Sequence, residues 1–345
     1  MSDNTPSFTP KPKRQRHFLR ALGLFLCWFA LFIPVVWATA AICFDFSVPS
    51  LRLPLALIFA VAMLLAFIFV KSRLRAMGVF VGGFILVLAW WFTLKPSNQR
   101  NWQPDVSQTA WSEINGDEIT LHNVRNCDYV TETNYTARWE TRKVRLSQMT
   151  GVDVAITYWG SPWMAHPIVS FQFADALPVC FSIETRKEIG ESYSAVRGLF
   201  RQFELIYIVA DERDVVRLRT NYRQGEEVYL YHFKLTPDQA RDRFLGYLRQ
   251  INALHQRPRW YNAITANCTT SIRAQNAPSE RVPWNWRILL NGKLDEMMYH
   301  RGLFAGDLPV AELKQRVHIN QRARATGQSL TFSRDIRDGV PGMPR

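Results

Sequence analysis

Three uncharged apolar runs fill most of the first quarter of this 345-residue chain: Ala21–Phe44, Leu53–Val70 and Met77–Leu94. About twenty apolar residues, rising 1.5 Å each in a helix, cross a bilayer core of about 30 Å. Each run is long enough. Three in succession cannot all be core helices of one small soluble domain. A cleaved leader is excluded too, because the first run is too long and two more follow at once. The chain therefore starts as a three-span membrane protein.

Lysine and arginine placement orients the spans. Lys11, Lys13, Arg14, Arg16 and Arg20 precede the first, and Lys71, Arg73 and Arg75 lie between the second and third. Arg52 is the single basic residue between the first and second. The tail and second loop therefore face the cytoplasm, and residues 95–345 lie on the other side. Trp90 and Trp91, near the end of the third run, suit an interfacial aromatic belt. The net charge of +13 does not call for nucleic acid. Eight of the basic residues are topology signals, and the others are scattered among acids. The surplus suits a bilayer surface as partner.

The organisation read from the sequence is a basic tail over 1–20, spans over 21–94, a linker over 95–111, an α+β domain over 112–330 and a tail over 331–345. The domain opens with alternating strand patterns around Ile119, Leu121 and Val124, over Val152–Trp159, and in "AHPIVSFQF" and "VCFSIETR". The last two suit a hairpin. "FELIYIVA" and "VVRLRTNYR" read as strands joined by the turn "DERD", and "EEVYLYHFKL" follows. The period then becomes helical in "TPDQARDRFLGYLRQINAL", with Thr236 and Gln239 as a capping box and Pro237 at the first helical position. "VAELKQRVHINQRARA" reads as one further helix. The fold class is three transmembrane helices followed by α+β, with a mainly antiparallel sheet.

Cys268 lies in "YNAITANCTTSI". With Asn267 as N-cap it falls in the first turn of a helix, where free backbone N–H groups and the macrodipole favour a thiolate and could hold an oxyanion. It is either a nucleophile or a small buried thiol. A nucleophile needs a base, and His166 stands out by opening an otherwise apolar and aromatic strand; the other reading is a satisfied core histidine. Cys127 and Cys180 either close a disulfide, if their strands are neighbours, or are small core residues. There is no CxxC, HExxH or P-loop pattern. The sequence calls for neither metal nor cofactor.

"AHPIVSFQF", "SIETRKEIGESYSAVRGLFRQFELIYIVADERDVVRLRTN", "VYLY" and "YNAITANCTTSI" occur in that order. In these stretches, from about Gly116 to Arg281, the chain resembles the bacterial family named for the periplasmic N-terminal domain of the lipoprotein N-acyltransferase Lnb. The resemblance implies a papain-like fold of the circularly permuted NlpC/P60 kind, with the histidine strand before the cysteine helix. It maps the nucleophile onto Cys268 and the base onto His166, and it implies an inner-membrane protein with residues 95–345 in the periplasm. Triad logic asks for a third, orienting group. Glu184 is the candidate, the other reading being an ion pair with Arg186 or Arg213. Arg217 and Arg219, on one face if the segment is a strand, either bind a lipid phosphate or face solvent. Asn267 either contributes an oxyanion contact or only caps. The function expected is acyl transfer through a Cys268 thioester, with phospholipid or lipoprotein as substrate. The alternatives are a peptidase or amidase acting on cell-wall peptides, or a non-catalytic membrane-tethered scaffold.

Overall fold

The computed structural model describes residues 13–275, Arg287 and residues 291–343. Lys11 and Arg281 lie outside them. The chain forms two compact units, divided between Lys95 and Pro96.

The first unit contains α1 (Lys13–Asp45), α2 (Pro49–Phe69) and α3 (Arg73–Thr93). All three are long and apolar enough to cross a membrane. Trp28 sets its ring edge-on to Phe67 and Phe80. The Trp91 Nε1–H donates to Asp45 at 2.7 Å, giving the one acid at the end of α1 a partner. The segment expected as a basic tail is helical from Lys13 on, so the first helix extends past the apolar run.

The second unit is an α+β domain. Its strands are β1 (Trp111–Asn115), β2 (Glu118–Arg125), β3 (Asp128–Tyr129), β4 (Tyr135–Thr136), β5 (Trp139–Arg145), β6 (Met149–Trp159), β7 (Ser161–Phe173), β8 (Val179–Arg186), β9 (Glu204–Ala210) and β10 (Glu226–His232). Eight of them form one sheet in the order β1-β2-β9-β8-β7-β6-β10, with β5 also on β2; β3 and β4 pair apart. All pairings are antiparallel except β2 with β9. The helices are α4 (Glu212–Arg217), α5 (Pro237–Gln256), α6 (Cys268–Gln275), α7 (Leu294–His300), α8 (Val310–Arg316), α9 (Asn320–Thr326) and α10 (Phe332–Asp335).

The period of two divides the sheet by chemistry. Phe171 and Phe181 face α5, where they meet Phe244 and Tyr247. The alternate residues, His166, Ser170, Ser182 and Glu184, make a polar strip on the other face. There Ser170 donates to Glu212 of α4. The capping box of α5 forms as expected, with Thr236 and Gln239 exchanging hydrogen bonds.

Five expectations are corrected. "DERD" opens α4 instead of turning between strands: Asp211 accepts the Arg213 N–H as N-cap. "VVRLRTNYR" continues through the end of α4 into a π-helical turn, Leu218–Tyr222; β-branched residues there pack as a short buried helix. The expected single helix after Pro309 is two, α8 and α9. Between them Val317 and Ile319 hydrogen-bond to β10 through backbone groups, and this edge contact breaks the helical ladder. The linker is built into the domain: Ser97 donates to Glu204, Asn98 bonds Arg186 and the end of α5, and Trp102 is buried under the Arg186 guanidinium. The segment expected as a C-terminal tail packs as well, with Phe332, Ile336 and Val340 buried in the core.

The disulfide idea fails too. Cys127 and Cys180 are free thiols. Cys180 belongs to the main core and Cys127 to a separate cluster with Tyr129 and Leu218. Burial raises both; Cys127 is pushed up to about 12, with nearby Asp214 adding to the effect.

Candidate functional site

Strands β7 and β8 part at one end. Their pairing runs from Phe171 opposite Val179 to Ile168 opposite Ser182 and stops. Yet β7 stays paired with β6 through Ala165 and, past a bulge, to Ser161, and β8 with β9 as far as Arg186. Pro167, with no N–H to offer, stands at the parting. His166 lies one residue beyond it.

The ring of His166 is held by its Nε2, 2.7 Å from the Ser182 hydroxyl. That hydroxyl gives its one proton to Glu184, also at 2.7 Å. Since a hydroxyl has a single donor, Nε2 carries the proton of the His166–Ser182 bond, and Nδ1 is left with its lone pair. Glu184 lies 3.9 Å from Nε2, so it acts on the ring through Ser182. Burial pushes the Glu184 carboxyl up, but Arg219 at 3.6 Å, His166 and Arg125 together hold it well below the carboxylate range. Burial, and secondly the Arg219 charge, lowers His166 to about 3. The imidazole is therefore neutral at any ordinary pH.

Cys268 begins α6. Asn267 caps this helix by accepting the Thr270 N–H at 2.9 Å, and the Thr270 hydroxyl accepts the Asn267 N–H in return. Asn291 Nδ2 donates to the Cys268 Sγ at 3.6 Å, and the backbone N–H groups of Thr269 and Cys268 at the start of the helix add to the pull toward thiolate. The expected thiolate does not result. Burial raises the thiol to about 11 and outweighs all three donors. The resting site thus holds a neutral thiol and a neutral imidazole, which make no hydrogen bond to each other.

Asn291 ties the two halves together. Its Oδ1 accepts the N–H of Ala165, the residue before His166, at 2.9 Å, while its Nδ2 faces the sulfur. Gly292 lets it do so. A Cβ at Gly292 would lie 2.3 Å from both the Pro162 carbonyl oxygen and the Trp163 carbonyl carbon, so only glycine fits against this backbone. Gly292→Ala, which alters neither Cys268 nor Asn291, is expected to slow alkylation of Cys268 by iodoacetamide about fivefold, as Asn291→Ala should, the worth of one neutral hydrogen bond. Mass spectrometry of the modified fraction against time checks this; an unchanged rate in both variants would remove Asn291 from the site.

The expected binding residues fare unevenly. Arg219 joins the site through Glu184 and also pairs with Glu226 at 3.1 Å. Arg217 ends α4, is buried, and forms no ion pair among the described residues. The two do not share a strand face, because the segment is helical. Asn267 is committed at both ends, its Nδ2 donating to Ala263 and its Oδ1 capping the helix. Glu184 pairs with Arg219, not with Arg186 or Arg213. Two residues were missed. Ser182 stands two before Glu184 and so shares its face. Asn291 is marked only by the glycine after it.

Residues 135–292 match the family model described as the Lnb N-terminal periplasmic domain. This stretch holds His166, Ser182, Glu184, Cys268 and Asn291. No curated protein and no solved structure matches the chain. A match to a periplasmic domain agrees with spans that carry the rest of the chain across a membrane.

Proposed function

We propose that this protein is an inner-membrane thiol acyltransferase whose α+β domain lies in the periplasm. The observation that carries the reading is the Asn291 bridge, which donates to the Cys268 sulfur and accepts from the residue before His166, a histidine whose Nδ1 keeps its lone pair. In the first step His166 Nδ1 takes the Cys268 proton as sulfur attacks an ester carbonyl. Asn291 and the two backbone N–H groups stabilise the charge that develops at this helix terminus. The C–O bond breaks, the leaving alcohol takes the proton from His166, and a thioester remains. In the second step an amine attacks the thioester and gives a proton to His166 Nδ1; the N–C bond forms, the S–C bond breaks, and His166 passes that proton to sulfur. Ser182 and Glu184 orient the ring throughout.

A phospholipid or lipoprotein chain is the acyl donor, and the N-terminal amine of a lipoprotein the acceptor. The resemblance to the Lnb domain supports both, as it does a permuted NlpC/P60 type of fold. The apolar cavity next to α6 favours an acyl chain over a cell-wall peptide. Anchoring by three spans confines enzyme and lipid to one surface, which raises their effective concentration.

Incubating the full chain in lipid nanodiscs without acceptor, and weighing the peptide that carries Cys268, tests the proposal. A fatty acyl increment on Cys268 is expected. A peptide fragment there would turn the reading to the peptidase, and no adduct under any condition would sink it. For the topology, a reporter active only in the cytoplasm, fused after Arg345, is expected to be silent; activity would overturn the periplasmic assignment.

A further inference from the structure

Two loops of the α+β domain put a cluster of large apolar side chains into solvent. Ile189, Tyr193, Val196 and Leu199 come from the segment between β8 and β9, and Ile264 from the loop that leads into Cys268. All five are exposed, and all but Leu199 by half or more. The loops are locked together. The Gly198 carbonyl accepts the Ala263 N–H at 2.7 Å, and the Leu199 carbonyl accepts from Asn262 Nδ2 at 3.2 Å. Gly198 permits this closeness, since a Cβ there would lie 3.1 Å from the Tyr261 ring. Single exposed apolar residues are ordinary on a folded domain, but a contiguous patch marks an interaction surface. Two cations, Lys187 and Arg197, stand on the same segment and form no ion pair among the described residues. The acids beside them are engaged: Glu188 pairs with Arg100 at 3.0 Å, and Glu191 accepts the Glu188 N–H at 2.8 Å.

The segment is fastened to the chain that leaves the third span. The Ile189 N–H donates to the Asn101 carbonyl at 2.8 Å, and Gln103 Nε2 donates to the Glu191 carbonyl at 2.7 Å. Eight residues of chain, about 28 Å when fully extended, separate Asn101 from Thr93 at the end of α3. We propose that this patch docks on the lipid surface, entering the leaflet on the domain's own side of the membrane. Ile189, Val196, Leu199 and Ile264 enter among the upper acyl carbons, and Tyr193 sits at headgroup level, where tyrosine is favoured. Lys187 and Arg197 reach lipid phosphates, so anionic lipid strengthens the docking. A protein partner would have to compete with a bilayer that the short tether keeps in reach, at high effective concentration. Ile264 lies four residues before Cys268, so docking holds the nucleophile's own loop at the lipid. The inference rests on the proposed function only in that last consequence; docking needs no turnover.

The test uses the full chain in nanodiscs of phosphatidylcholine with phosphatidylglycerol. A dansyl amino acid takes the place of Val196, of Ile264, or of Val130, an exposed control outside the patch. Lipids brominated on their acyl chains quench only a fluorophore that enters the leaflet. They are expected to lower the emission roughly twofold at 196 and 264, since a docked face enters about 5–10 Å, and to leave the control unchanged. With the probe at 189, Val196→Asp together with Ile264→Asp should abolish the quenching; a native rate of Cys268 alkylation by iodoacetamide shows that this variant is folded. Lys187→Gln with Arg197→Gln, which leaves the apolar residues in place, should weaken the quenching and remove its dependence on phosphatidylglycerol. A blue-shifted probe that bromine does not quench would mean that protein covers the patch. An unshifted and unquenched probe would mean that water does. Either result, or quenching that survives the two aspartates, overturns the proposal. Quenching with no adduct on Cys268 sinks the catalytic reading alone; an adduct without quenching sinks this one alone.

Discussion

His166→Ala is expected to slow acylation of Cys268 by about 10²–10⁴-fold, the usual worth of a positioned general base, and Cys268→Ala to abolish it. The pH dependence separates two mechanisms. Burial, with the Arg219 charge second, sets His166 at about 3, and burial sets Cys268 at about 11. Between those values the thiol keeps its proton and the imidazole lacks one. The reactive pair has the same protonation across the ordinary range, so the acylation rate of the native protein should be flat from about pH 5 to 9. A preformed thiolate–imidazolium pair would instead give a bell, with limbs where the thiol and the imidazolium lose their protons. Single-turnover acylation in nanodiscs, followed by mass across that range, tells these apart. Ser182→Ala should give a smaller fall than His166→Ala, because it removes the hydrogen bond that fixes the tautomer but leaves the base. A bell-shaped profile, or a His166→Ala rate equal to the native one, would reject the neutral-pair mechanism.

Arg337→Ala is expected to destabilise the α+β domain by about 3–5 kcal/mol, the range found when one partner of a buried ion pair is removed. Arg337 lies in the last ten residues, yet its Nε is 2.8 Å from Asp153 and its Nη1 2.8 Å from Glu212. Both carboxylates are wholly buried. Asp153 retains His232 at 2.6 Å, and Glu212 retains Ser170. Glu212 would keep no cation of its own. Phe332, Ile336 and Val340 bury their side chains on the same segment, so removing residues 331–345 should cost more than the point substitution. Chemical denaturation followed by tryptophan fluorescence measures both. A loss below about 1 kcal/mol for Arg337→Ala would show that the network is solvated in practice.

The three spans were legible because the bilayer demands a property carried by consecutive residues: some twenty apolar side chains without charge. The capping box of α5 and the Asn267 cap were legible for a similar reason, since each is a bond between groups three residues apart. The strands around His166 and Glu184 showed as alternation, so both candidates were visible as residues on a sheet. Cys268 was visible because its stretch is long and specific.

What depended on distant chain segments was not visible. "VVRLRTNYR" has the β-branched pattern of a strand, but packing against β7 and β8 makes it helical, and Arg217 and Arg219 then diverge. The helix terminus favours a thiolate at Cys268, yet the extent of burial decides the sign, and burial is a property of the folded domain. Asn291 reaches the thiol and Ala165 from 23 and 126 residues away, and the only local sign of this was the glycine that lets two backbones touch. The last fifteen residues look polar by count, but three apolar side chains join the core and one arginine finds its partners on β6 and α4. The sequence by itself determined the local elements and the residues able to do chemistry. Only the tertiary structure decided which of them meet and in what state of charge, because desolvation and long-range pairing act between residues that no local pattern connects.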